Sequence, residues 1–279
     1  MFSQLTQNMQ YKLICSDIDG TLLNKDRELP QFTIDEVRRI FPIPFILISS
    51  RMPAAMRHLQ IKLGNKTAPI IAYNGGFILN NGIVLDSTII DNNILKTIIL
   101  KCKNTSIHLS LYHADEWYVP SMDYWAKREF NNTKVMPVVK SNEMVLKTWI
   151  EEKKGAHKIM CMGDENEIDV LYKSLEKECS NDIMLYRSKS TYIEISHQSI
   201  SKKTAIETLI KNCYPEISME SVVAFGDNYN DVEMLKDATY SFAMNGGVKD
   251  ILKSSNYSTD RVEPVLQKVI CGELEEWRN

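Results

Sequence analysis

The chain has 279 residues, 44% of them hydrophobic, and a formal net charge of -3 at pH 7. That length can bury a large core and suffices for two domains, while the near-neutral charge gives no global attraction to nucleic acid or to an anionic membrane. Six scattered cysteines (15, 102, 161, 179, 213 and 271) suit reduced thiols, and neither an export signal in residues 1 to 10 nor an apolar run of ~18 residues is present, so the expectation is a cytoplasmic protein with no nucleic-acid or membrane partner and an oligomeric state that composition leaves open.

In chain order, Leu13 and Ile14 begin a short apolar run that reads as a buried parallel strand. It ends in Asp17, Asp19, Gly20 and Thr21, two carboxylates one residue apart at a glycine turn. Such a pair suits a hard cation, because close carboxylates repel unless a metal or a proton offsets them. A calcium loop is excluded: Leu22 stands at its sixth position, where glycine is needed, and a strand rather than a helix leads in. Thr33 with Glu36 reads as a capping box for a helix carrying Ile34, Val37 and Ile40. A second strand over 45–48 ends in Ser49, Ser50 and Arg51. Pro53 opens the next helix and Gly64 closes it. A third strand over 69–72 ends in Tyr73, Asn74, Gly75 and Gly76. This alternation predicts a parallel sheet with helical crossovers.

The rhythm then changes. Apolar runs at 77–79 and 83–85 flank Asn80, Asn81 and Gly82, a hairpin signal. From about residue 91 to 197 the pattern mixes helices (94–101, and 165–179 capped by Asp164) with strands (107–112, 158–162, 184–186 and 192–195). A block of this size within an α/β alternation predicts an inserted α+β domain. The parallel pattern resumes with a helix over 201–211 and a strand over 222–225, which ends in Gly226, Asp227, Asn228, Tyr229, Asn230 and Asp231. A last strand over 241–244 ends in Asn245, Gly246 and Gly247. The expected boundaries are 1–84 for the first part of the core, 85–197 for the insert and 198–279 for the rest of the core.

In an open parallel sheet, ligands bind beyond the carboxyl ends of the strands. Those ends carry Asp17 and Asp19, Ser49, Asn74, Asp227 and Asp231, and Asn245, and their convergence predicts one site. Carboxylates suit Mg²⁺, while exposed backbone N–H groups and Lys202 suit a phosphate anion. Together they point to phosphoryl transfer. With no Ser-His or Cys-His pair evident, the available nucleophile is a carboxylate, and a second carboxylate two residues on can serve as acid and base.

The run Asp17-Ile-Asp-Gly-Thr-Leu-Leu, Ser49, Lys202 and Gly226-Asp-Asn-Tyr-Asn-Asp231 resembles, in order, the four motifs of the haloacid dehalogenase-like hydrolases. The Asn74-Gly-Gly step, the size of the insert and the form of the last motif are similar to the Cof-type phosphatases with a C2B cap. The resemblance implies an α/β fold with a Rossmann-like parallel-sheet core and an inserted α+β (C2B-type) cap domain. It implies Asp17 as nucleophile and metal ligand, and Asp19 as general acid and base that binds metal through its backbone carbonyl. Ser49 and Lys202 would hold phosphate, with Asn230 and Asn74 as further phosphate contacts. Asp227 and Asp231 would complete the Mg²⁺ site. Three departures stand out: Ser50 where glycine is usual, Lys203 after the motif lysine, and Asn245-Gly246-Gly247 in place of Gly-Asn-Ala.

The reading is a Mg²⁺-dependent phosphatase acting through an aspartyl-phosphate on a small phosphorylated metabolite, a sugar phosphate first, under a mobile cap. A phosphomutase on the same scaffold and a catalytically silent binding protein are the alternatives. The polar and aromatic stretch Tyr112, His113, Asp115, Trp117, Tyr118, Tyr124, Trp125, Lys127 and Arg128 suits the lining of a lid, with packing or surface the simpler role for each residue; Arg187 is a similar case.

Overall fold

The computed structural model describes residues 10–274 and Trp277, and the chain divides into two compact units. One comprises the N-terminal segment ending at Ser50, Met56–Asp86 and the C-terminal segment from Ser201; the other comprises Arg51–Ala55 and Ser87–Ile200.

The first unit opens with β1 (Leu13–Ser16), α1 (Gln31–Arg39), β2 (Phe45–Ile48), α2 (Ala54–Leu63), β3 (Ile70–Ala72), β4 (Phe77–Asn80) and β5 (Ile83–Ser87). Every residue of β1, β2 and β3 is buried, as expected of parallel strands covered on both faces. The predicted hairpin forms between β4 and β5, where Asn81 (φ 48°) and Gly82 (φ 81°) take the left-handed conformations of a two-residue turn.

The second unit runs through α3 (Asn92–Cys102), β6 (His108–His113), β7 (Glu116–Val119), α4 (Tyr124–Thr133), β8 (Val138–Val139), α5 (Asn142–Glu151), β9 (Lys158–Met162), α6 (Glu165–Cys179), β10 (Ile183–Lys189) and β11 (Tyr192–His197). Its six-stranded sheet has the order β10-β11-β9-β6-β7-β8. The pairings are antiparallel except that between β7 and β8. Leu109, Leu111, Ile159, Cys161, Ile193 and Ile195 form one core with apolar residues of α3, α5 and α6. The stretch expected to line a lid is divided among β6, the turn after it that carries Asp115, β7 and α4: Tyr112 and Trp117 are buried, while Tyr124 is exposed.

The chain returns to the first unit with α7 (Lys202–Cys213), β12 (Val222–Gly226), α8 (Val232–Asp237), β13 (Tyr240–Met244), β14 (Tyr257–Thr259) and α9 (Val262–Cys271). Its sheet has eight strands in the order β14-β13-β12-β1-β2-β3-β4-β5. From β14 to β3 neighbouring strands are parallel, whereas β3 and β4 are antiparallel. The result is the α/β class with a parallel-dominated sheet that the strand–helix alternation predicts. Ala205, Ile206 and Leu209 of α7 pack with Leu13, Ile46 and Ile71 of the sheet.

One local expectation fails. Thr33 and Glu36 form no capping box, because α1 starts earlier, after Pro30. Both are buried within the helix and serve its packing against α9: the Thr33 hydroxyl donates to Glu263, and Glu36 accepts from Gln267.

Candidate active site at the strand tips

Parallel pairing of β1 with β12 aligns Ser16 with Phe225, so their next polar residues emerge side by side. The Asp17 N–H donates to the Phe225 carbonyl at 3.0 Å. Asp17, Asp227 and Asp231 each present a carboxylate oxygen within 4.8 Å of the others. Gly20, at φ +86°, lets the first turn pass close to this group: a Cβ there would lie 2.2 Å from Asp227 Oδ2. Thr21 Oγ1 donates to Asp227 Oδ1 at 3.4 Å.

Lys202 enters from the first turn of α7, which Ser201 and Thr204 cap reciprocally. Its Nζ donates to Asp17 Oδ1 at 2.5 Å and to Asp231 Oδ1 at 2.6 Å. Lys202 and Asp231 are both 0% exposed, and Asp17 is 5% exposed. Lys203, which follows Lys202, pairs instead with Asp237 in a partly exposed position. The other Asp231 oxygen accepts the N–H groups of Asp227 and Asn228, both at 3.0 Å, so this side chain also fixes the loop that carries Asp227.

Ser49 and Asn74 lie at the tips of the adjacent strands. The Asn74 N–H donates to the Ser49 carbonyl at 2.9 Å, and Asn230 Nδ2 donates to Asn74 Oδ1 at 3.0 Å. Tyr73 and Asn74 both have positive φ, 54° and 56°. Asparagine tolerates that conformation, but tyrosine rarely adopts it, so the turn holds local strain beside the site.

Two predicted groups stand apart from the carboxylate cluster. The Asp19 side chain faces Arg27 Nη1 at 3.5 Å, and both groups are partly exposed. Asn245 is exposed and donates to Asp260 at 2.9 Å. Gly247 and Thr21 were not singled out as site residues from sequence. A Cβ on Gly247 would lie 2.4 Å from the Asp227 carbonyl oxygen, so the Gly-Gly step after β13 was the available signal.

Burial dominates the electrostatics, favouring the uncharged form of both Asp17 and Asp227. It raises Asp17 well above the ordinary carboxylate range; Lys202 opposes the shift, and the negative charges of Asp231 and Asp227 add to it. Asp227 is pushed up to about 6, chiefly by burial and then by Asp231. Lys202 is held above its usual value because attraction to Asp17 and Asp231 outweighs its own desolvation. If all three carboxylates are ionised, the single ammonium leaves two negative charges uncompensated, so a cation there offsets what burial otherwise opposes. That oxygen-rich donor set fits a divalent hard cation such as Mg²⁺.

The haloacid dehalogenase-like hydrolase family model matches residues 14–264. A Haemophilus influenzae protein with a provisional phosphatase name is 26% identical over 256 residues, covering 90% of this chain and 93% of the relative. An uncharacterized hydrolase of Schizosaccharomyces pombe is 26% identical over 259 residues, covering 89% of this chain and 85% of the relative. In fold, the chain is similar to the crystal structure of a haloacid dehalogenase-like hydrolase from Bacteroides thetaiotaomicron. The TM-score is 0.83 at 23% identity, with coverage of 93% of this chain and 99% of that one. With the family model spanning nearly the whole described fold, this chain belongs to the haloacid dehalogenase-like hydrolases.

Proposed function

We propose that this hydrolase is a Mg²⁺-dependent phosphatase of the cytoplasm that cleaves a small phosphorylated metabolite, with sugar phosphates as the first class to test. The observation that carries the reading is the buried cluster in which Lys202 joins Asp17 to Asp231 beside Asp227. Asp17, Asp227 and Asp231, together with the Asp19 backbone carbonyl, would hold the ion, whose chemistry is to neutralise charge on the phosphoryl oxygens.

In this account the Asp17 carboxylate attacks phosphorus, the bond from phosphorus to the ester oxygen breaks, and an aspartyl-phosphate forms. Asp19 gives its proton to the departing alkoxide and then takes one from the water that attacks the same phosphorus. Phosphate leaves and the Asp17 carboxylate is restored. Its partly exposed pairing with Arg27 is weak enough to let the Asp19 side chain turn toward substrate. Lys202 and Ser49 bind phosphoryl oxygens, with Asn74 and Asn230 as further donors. Residues 85–197 act as a cap that excludes water and selects the leaving group.

The test is phosphate release from p-nitrophenyl phosphate. Hydrolysis is expected with Mg²⁺, and both EDTA and Asp17→Asn should abolish it. Activity that survives both treatments refutes the mechanism.

A further inference from the structure

Beside the carboxylate cluster, the exposed residues 24–28 make a loop closed on Asn24. The Asn24 side-chain oxygen accepts the N–H groups of Asp26 and Glu28, both at 2.9 Å. Its own N–H donates to the Glu28 carbonyl, and its carbonyl accepts the Arg27 N–H, both at 3.0 Å. Leu22 and Leu23 before the loop and Leu29 after it are buried, so both ends are anchored. A loop tied in this way needs little reordering when a ligand arrives.

The loop fixes the position of Arg27. That residue has φ 59°, a left-handed conformation that glycine, asparagine and aspartate adopt far more readily than arginine. Such outliers gather where a side chain is used. Here the guanidinium reaches Asp19: Nη1 lies 3.5 Å from Asp19 Oδ1, with the two side chains 49% and 39% exposed.

What Arg27 does there follows from the hydrolytic mechanism proposed above, on which this inference rests. Asp19 serves the ester oxygen, so a guanidinium held against Asp19 stands on the leaving-group side of phosphorus. When Asp19 turns to that oxygen, it withdraws its carboxylate from Arg27. The planar fork of a guanidinium matches a carboxylate with two parallel hydrogen bonds. A leaving group that carries a carboxylate close to its ester carbon can therefore take the place that Asp19 gives up. A neutral leaving group cannot. We infer that Arg27 is a specificity-determining residue that favours phosphate esters of hydroxy acids, sugar acids included, by binding the carboxylate of the leaving group.

The test compares 2-phosphoglycolate with 2-hydroxyethyl phosphate, which differ only in a carboxylate against a hydroxymethyl group. With Mg²⁺, the parent should show a kcat/KM for the acid roughly fivefold or more above that for the alcohol. Arg27→Met should bring the ratio to about one or below, and Arg27→Lys should keep part of the preference, since it retains the charge without the fork. A ratio taken within each variant cancels any loss of folding or turnover common to both esters. The same ratio is read as Kd by calorimetry in EDTA, where the proposed reaction stops. An acid preference that survives Arg27→Met, or a parent without one, overturns the inference. If both esters and p-nitrophenyl phosphate go unhydrolysed, the phosphatase reading has failed, and the ratio of Kd values decides this inference by the same two criteria.

Discussion

Lys202 places a positive charge in the first turn of α7, where the helix dipole opposes it, and Asp17 and Asp231 supply the compensating charge. The sequence named the strand-end aspartates and favoured Lys202 over Lys203, and the structure brings Asp17, Asp231 and Lys202 together. What residue types could not convey is the burial of Lys202, since adjacent helix positions differ by about 100° in direction and only packing decides which one turns inward. Lys202→Met should lower kcat/KM by a factor of at least ~100. It should also destabilise the fold by about 3–5 kcal/mol at neutral pH, because buried carboxylates lose their counter-charge. Lys203→Met removes only partly exposed pairs with Asp237 and Glu207 and should change stability by no more than about 1 kcal/mol. Steady-state kinetics and urea unfolding of the two variants give the comparison; equal losses in both would count against the assignment.

At the scale of elements, α6 was readable from end to end because Asp164 caps it and Ile168, Leu171 and Leu175 recur on one buried stripe. In α4 only Ala126 and Thr133 are buried, too few for a periodic signal, whereas α5 did carry one in Ser141, Val145, Leu146 and Trp149. The three-residue β14 is too short and too polar to stand out. The false capping box at Thr33 shows the limit of local motifs: the same residue types also suit the buried polar contact with α9, which lies far away in sequence. In the second unit, His157 accepts the Ala114 N–H at Nδ1 and therefore carries its proton on Nε2, facing Ser87 Oγ at 2.9 Å. Burial, helped by nearby His113, drives its pKa down to about 3. Between pH 3 and the ordinary histidine range near 6.5 the unfolded chain takes up a proton that the folded chain refuses. Stability therefore falls as pH is lowered through that window, by up to about 1.4 kcal/mol per pH unit. His157→Gln should flatten the slope relative to the parent in urea titrations between pH 4 and 7; parallel slopes would contradict the burial argument.

Across the whole molecule, the parallel order around β1 brings together residues more than 200 positions apart, as with Thr21 and Asp227. Sequence conveyed that convergence through the general rule that ligands gather at the carboxyl ends of parallel strands and through the order of the four motifs. It could not convey that the Asp19 side chain rests against Arg27 or that Asn245 turns to Asp260, because both depend on loop conformation. A divalent ion that completes the charge of the Asp17, Asp227 and Asp231 cluster binds the folded chain alone. Mg²⁺ at 100 times its dissociation constant should therefore stabilise the protein by about 2.7 kcal/mol, seen as a rise in melting temperature that Asp227→Asn removes. An equal rise in the parent and the variant would place the ion elsewhere. The most direct measurement is borohydride reduction of enzyme acid-quenched during turnover with Mg²⁺, followed by peptide mass spectrometry. The account predicts that Asp17 is recovered as homoserine, the reduction product of an acyl phosphate; an unmodified Asp17 with another carboxylate reduced in its place would contradict it.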